Sequence, residues 1–454
     1  MTAYTYPNSR SSVCGAGGVG GAAHRTASLL AISLGLVWTS CDSDSQHSSA
    51  SHAEQSPCTV TLAPSSDDQS ALQGALIDAV SGDTICLKGG RFKLTGQLTL
   101  AAANVTVHGN GSASGINDTV LDFSAQESGA NGLEISADHD TLDSLRIEDP
   151  KGDGVRATAV DYVTFRNVHV EWTAGPDTSN GGYGIYPVSS SHVLVEHCYV
   201  SGASDTGVYV GQSHDIIIRD NEVTGNVAGI EIENSTDAEV YRNHAHGNTG
   251  GILVFNLPGL EVKDGKRANV HDNVIEDNNL ENFAPAGGII ASLPAGTGMF
   301  ILASDDNELH DNTIQQHQSQ GISILSWVVT LRDEDGAKDR EYDWFPERNN
   351  VHDNRLSDNG ATPQGASALI AGTVGRAELA DLIWDGVVNP ATLGPDAAAS
   401  ADSDPVPPED IRNCFTNNGD ASFLNLDIQH DGQHKSTDVT QYACTPKPLP
   451  ALEF

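Results

Sequence analysis

GVYVGQSHDIIIRDNEVTGNVA (residues 207–228) and GIEIENSTDAEVYRNHAHGNTG (residues 229–250) are consecutive units of one repeat, and they decide the fold. Each opens on glycine. An apolar residue follows (Val208, Ile230), a second comes two positions later (Val210, Ile232), and an asparagine recurs at one place (Asn221, Asn243). The same frame starts at Gly132, Gly154, Gly184 and Gly251, and longer intervals lead on to Gly288 and Gly321. An extra loop, Trp172 to Gly182, lengthens the interval before Gly184. A unit of roughly 20–25 residues with short strands cannot bury its own apolar side, so stacked copies must share a continuous core. Strand-rich units with frequent Gly and Asn read as coils of a parallel β-helix. A leucine-rich repeat has a similar period but needs a regular Leu/Asn frame, which is absent.

Side chains alternate along a strand, so two columns should point inward together. The first is Leu133, Val155, Ile185, Val208, Ile230, Ile252, Ile289 and Ile322; the second is Ile135, Ala157, Pro187, Val210, Ile232, Val254, Ala291 and Ile324. A third column, Asn167, Cys198, Asn221, Asn243, Asn273, Asn312 and Asn354, reads as a turn ladder of stacked amides. A small buried thiol fits the rung at Cys198. The string His-Asp-Asn recurs at 271–273, 310–312 and 352–354. His and Asp are metal ligands, so a metal array is one reading; a repeated turn in which Asp accepts backbone hydrogen bonds is the other.

Acidic residues number 61 against 23 Lys plus Arg. A field of that sign repels phosphate backbones and argues against nucleic-acid partners. A polyanionic ligand would need a local cationic spot or a bridging Ca²⁺; otherwise no cofactor is implied. Arg25 precedes an apolar run, Ala27 to Trp38, too short to span a bilayer as a helix. It ends in Thr39-Ser40-Cys41, which resembles a bacterial lipoprotein signal with Cys41 as the lipidated residue; ordinary secretion is the alternative. Export to the cell envelope, with a membrane contact through the lipid, follows from that resemblance. Cys58 with Cys86 and Cys414 with Cys444 form two local pairs that could staple the two ends of the solenoid in an oxidising compartment.

The chain divides into a signal (1–40), a Ser-rich tether (41–57), the β-helix (58–375), an irregular segment and linker (376–410) and a C-terminal cap (411–454) that should dock on or beside the last coil. Asp67 to Val80 reads as an amphipathic capping helix, with Leu72, Ala75, Leu76, Ala79 and Val80 on one side. Loops are expected at Leu257–Ala268, Leu293–Ser304 and Trp327–Arg348. The strings YGIYPV (183–188), YVGQS (209–213), NVAGIEIENS (226–235), NTGGILVFNLPGL (248–260) and NFAP (282–285) stand together in order. They resemble a family of bacterial envelope proteins with right-handed parallel β-helix repeats. More distantly the chain is similar to carbohydrate-active β-helix proteins, including pectate lyases, polygalacturonases and mannuronan epimerases. The resemblance implies an all-β, right-handed solenoid. The Asp-Pro-His-Asp string of the epimerases does not occur; the nearest is Asp149-Pro150-Lys151-Gly152-Asp153.

The outward face of the first strand of each coil is where chemistry is expected. Adjacent coils lie about 4.8 Å apart, so Arg156, Tyr186, Tyr209 and Glu231 should form a row, with Glu134 at one end and Glu233 beside Glu231. Tyrosines offer flat faces to sugars, Arg can hold a uronate carboxylate, and a Tyr or carboxylate can move a proton. These four are the catalytic candidates. Glu134, Glu233, Trp172 and Tyr183 are the substrate-binding candidates, the inserted loop with Asp177 walling one side, and Gly211 leaving room beside Tyr209. The leading expectation is polysaccharide binding in the envelope, its enzymatic form a lyase or epimerase on a uronate polymer. The rival is a non-enzymatic scaffold or assembly factor. An open cleft over Arg156 to Glu233 would favour the first; a face covered by the 327–348 loop would favour the second.

Overall fold

The computed structural model describes residues 57–454 except 114, 116, 391 and 393–405. The expected signal, Cys41 and nearly all of the tether lie outside the described residues. The chain is a right-handed parallel β-helix whose coils present three faces. The first face is an eleven-stranded parallel sheet running from Gly96–Leu100 through Tyr183–Val188, Thr206–Gly211 and Ala228–Glu233 to Phe423–Asn425. The second includes Ser191–Glu196, His214–Arg219 and Thr236–Tyr241; the third includes Tyr199–Ser201, Glu222–Thr224 and His244–His246. Strands Thr141–Glu148 and Asp161–Glu171 run through both of the latter.

The inward columns stack as the repeat dictates. Leu133 pairs with Val155, Val155 with Ile185, Ile185 with Val208, Val208 with Ile230 and Ile230 with Ile252, all buried. The next rung differs from the sequence reading. Ile252 pairs with Met299 and Val254 with Ile301, in strand Thr297–Leu302. Ile289 and Ala291 instead lie at a short 3-10 turn, Ile290–Ser292, outside the rung. The glycines explain why. A Cβ on Gly229 would stand 2.6 Å from the carbonyl oxygen of Gly251, and one on Gly251 would stand 2.5 Å from that of Gly298. Coils approach so closely here that only glycine fits, and Gly298, not Gly288, is the member of that column. Two of the expected loops therefore shrink: 266–271 and 297–302 are strands.

Asparagine ladders hold the turns. The amide N–H of Asn221 donates to Asn243 Oδ1 at 3.1 Å, that of Asn243 to Asn273 at 2.9 Å, and the series continues through Asn312 and Asn354 to Asn418. Cys198 joins it, its N–H donating to Asn221 Oδ1. Asn167 does not. It sits one position early, at a left-handed φ of 51°, in line with Asp220 and Arg242, and buried Val168 takes the ladder position. Two further ladders run unexpectedly: Asn226–Asn248–Asn278 and Asn307–Asn349–Asn413.

At the N-terminal end, helix Asp68–Asp78 buries Leu72 and Leu76 against the first coil, whereas Val80 is exposed, beyond the helix end. Disulfides Cys58–Cys86 and Cys414–Cys444 tie the two ends, and Cys198 is buried and unpaired. The solenoid does not stop at 375. Leu382–Trp384 and Phe423–Asn425 continue the first face, and Cys414–Thr416 continues the second. Trp384, Phe423 and Tyr442 pack together inside the last coils. The tail then runs back along the second face, where the N–H of Leu449 donates to Glu308 and that of Leu452 to Glu239. Phe454 meets Tyr162 and His192 edge-on.

Candidate functional site

The repeat places the expected row where it should be. Glu134 is in register with Arg156, Arg156 with Tyr186, and Tyr209 with Glu231, while Glu233 lies opposite Gly211. The Arg156 guanidinium stands 4.8 Å from the Tyr186 ring centre. Tyr183, Tyr186 and Tyr209 form a triangle, with centroids 4.4 Å (183–186), 4.6 Å (183–209) and 5.0 Å (186–209) apart. Gly211 makes this possible: a Cβ there would lie 2.3 Å from the Tyr209 hydroxyl oxygen.

What the row is not is uniformly exposed. Arg156, Tyr183, Tyr186 and Glu134 are half-buried, whereas Tyr209 is 5% exposed, Glu231 2% and Glu233 9%. The Tyr209 hydroxyl donates to Glu233 Oε1 at 2.6 Å, and Thr206 Oγ1 lies 2.7 Å from Glu231 Oε2. Tyr209 is therefore part of a packed polar cluster, and its side chain cannot be treated as a surface group. Trp172 is not a wall of the site at all. It is buried in the core, its indole N–H donating to the Pro150 carbonyl at 2.8 Å. Glu134 accepts from Gln97 Nε2 at 2.8 Å, at the far end of the row.

Two carboxyls that the strand columns do not contain complete the cluster. Asp153 precedes Gly154 and accepts from the Tyr183 N–H at 3.2 Å; Asp205 lies 3.4 Å from the Tyr183 hydroxyl, which donates to it. The signal was present, since Asp153 directly precedes the opening Gly154 and ends the string Asp149–Asp153, and Asp205 stands two positions before the opening Gly207. Both lie at turn positions, outside the strand columns.

Burial sets the electrostatics. It lifts Glu233 to about 7, and Asp153 and Asp205 to about 6. Glu231 is pushed well above the carboxylate range by burial and then by the Glu233 and Asp205 charges. Burial also raises Tyr183, Tyr186 and Tyr209, reinforced at Tyr183 and Tyr209 by neighbouring carboxylates. Both Tyr186 and Tyr209 stay protonated phenols near neutral pH. Proton exchange in this range belongs to the carboxyls.

Beyond Glu233 the face is covered. Trp327 and Tyr342 from the 327–348 segment pack over Leu253, Phe255 and Leu302, and the Tyr342 hydroxyl donates to the Asn256 carbonyl. Helix Gly365–Thr373 and residues 289–294 close a pocket of about 210 Å³ over Phe300 and Ser323. The open stretch is thus Arg156 to Tyr186 with Tyr183. The repeated histidines stack instead of gathering a metal: the His271–His310 and His310–His352 centroids are 4.9 and 5.1 Å apart. Each Nδ1 meets the following Asp, and each Nε2 meets Glu239, Asn269 or Glu308 on the preceding coil, which engages both ring nitrogens.

A family model described as "Right handed beta helix region" matches residues 103–257. No curated protein sequence matches the chain. Among solved structures, the chain is similar to the A-module of the Azotobacter vinelandii mannuronan C-5 epimerase AlgE4, with 14% identity and a TM-score of 0.46 over 72% of this chain and 91% of that one. It is also similar to the polygalacturonase of Erwinia carotovora ssp. carotovora, with 13% identity and a TM-score of 0.45 over 68% and 89%. These likenesses are of fold.

Proposed function

We propose that the open stretch of the first face, Arg156 to Tyr186 with Tyr183, binds a polysaccharide and moves protons on a uronate polymer, as a lyase or an epimerase does. One observation carries this: carboxyls displaced to about 6–7 gather around a half-exposed tyrosine pair beside the Arg156 cation. Tyr183 and Tyr186 offer ring faces for sugar stacking, and Arg156 pairs with a uronate carboxylate. Asp153 or Asp205, in its ionised form, takes the proton next to that carboxylate. The electron pair left behind either expels the glycosidic oxygen, which takes its proton from water, or is reprotonated by water on the opposite face. In this reading Cys41 carries the lipid that holds the protein at the envelope, and the two disulfides fit an exported protein.

The deep burial of Tyr209, Glu231 and Glu233 favours a second reading, an envelope scaffold in which the cluster is structural. A panel of uronate and neutral polysaccharides separates the two, with binding measured by calorimetry and turnover by the ultraviolet absorbance of unsaturated uronates and by the epimer ratio. Arg156→Ala and Tyr186→Ala should each weaken binding about tenfold, the worth of one stacking or charge-assisted contact. Asp153→Asn with Asp205→Asn should abolish turnover and spare binding. A protein that binds no member of the panel is the scaffold.

A further inference from the structure

At the C-terminal end of the solenoid, a carboxylate and two imidazoles converge in a place the saccharide site does not use. Asp427 stands at a left-handed φ of 50°, directly before the 3-10 turn Ile428–His430, and its side chain is 1% exposed. Its Oδ1 lies 2.6 Å from His430 Nδ1. Its Oδ2 accepts from the backbone N–H of His434 at 2.6 Å and lies 3.6 Å from His434 Nδ1. One ligand atom from each of the three lies within 4.8 Å of the other two. His434 Nδ1 is buried and has no hydrogen-bond partner among the described residues. The loop is pinned in this shape. The Ile428 N–H donates to the Asp385 carbonyl, that of Gly432 to the Asp427 carbonyl, and that of Asp427 to Asn425 Oδ1.

We propose that Asp427, His430 and His434 bind a first-row divalent transition metal, with zinc as the best fit and water as the fourth ligand. A carboxylate this buried is stabilised by a fixed positive partner, and the orphaned imidazole nitrogen needs a cation or a donor for its lone pair. One ion supplies both. Two nitrogens and an oxygen suit zinc, whereas calcium and magnesium take oxygen sets. Ligands about 2.0 Å from a tetrahedral ion stand roughly 3.3 Å apart, so the ion replaces the Asp427–His430 hydrogen bond with two metal bonds. It would clip the 427–434 loop to the last coil.

The other His/carboxylate cluster among the described residues, Glu222, His244 and His246, is a control. There His244 already meets Glu276 and His246 meets Glu222, and Glu222 is exposed. The full chain is stripped with a chelator and titrated with Zn²⁺ alone against a chromophoric competitor. One tight equivalent and a raised thermal midpoint are expected. His430→Ala and His434→Gln should each weaken that equivalent at least tenfold, with their midpoints in chelator matching the stripped wild type. The pair His244→Ala/His246→Ala should leave it unchanged. Wild type without saturable binding, or a tight equivalent lost only with His244 and His246, overturns the proposal.

Discussion

Glu233→Gln isolates one buried proton. Burial lifts the Glu233 carboxyl from its ordinary 4.5 to about 7. Below 4.5 the group is protonated in both folded and unfolded chains. Above 7 it is ionised in both, and the folded state bears the cost of a charge held at 9% exposure. Between those limits the folded chain binds the extra proton, so stability is highest in acid and falls as pH rises through 7. At about 1.4 kcal/mol for each tenfold change in proton concentration, the gap is worth roughly 3 kcal/mol. Asp140, Asp305 and Asp385, also raised by burial, steepen the same slope in the wild type. Glutamine keeps the shape, still accepts from the Tyr209 hydroxyl, and cannot ionise. Equilibrium urea unfolding at pH 5 and pH 8 should show the wild type losing more stability between the two than the variant, by up to about 3 kcal/mol. Glu231 ionises more easily once its neighbour is neutral, so the double variant Glu231→Gln/Glu233→Gln should be flatter still. If the single and double variants lose as much as the wild type, these carboxyls are not buried as described.

Two other outcomes follow from the scaffold. Asn243→Ala removes an acceptor for both the N–H and the side-chain amide of Asn221 and a donor to the Ile218 carbonyl, and should cost about 2–4 kcal/mol by the same unfolding assay; an unchanged transition would contradict the ladder. Peptide mapping should find Cys58–Cys86 and Cys414–Cys444 oxidised, with Cys198, its thiol pushed up to about 12 by burial, resisting alkylation until the chain unfolds; a link from Cys198 to another cysteine would overturn its inward placement.

Periodicity alone determined the solenoid, the inward columns from Leu133 to Ile252, most of the asparagine ladder and the row Arg156–Tyr186–Tyr209–Glu231. These depend on nearest-neighbour stacking, which a repeat writes directly into the sequence. The cysteine pairs were equally legible, because each joins residues close in sequence, 28 and 30 positions apart. The period was lost where insertions broke it. Gly288 and Gly298 look alike in sequence, and only the close approach to Gly251 selects Gly298. Asn167 lies outside the ladder because a left-handed residue precedes each rung, and one position decides inside from outside. Burial of the outer row was decided by tertiary structure alone. Whether Tyr209 and Glu231 meet solvent depends on how three tyrosines fold over one another and on the Glu233 and Thr206 side chains that bond them, while segments such as 327–348 cover the coils beyond. The raised carboxyls, the candidate proton carriers, arise from that burial, so their chemistry could not be read from the columns that position them.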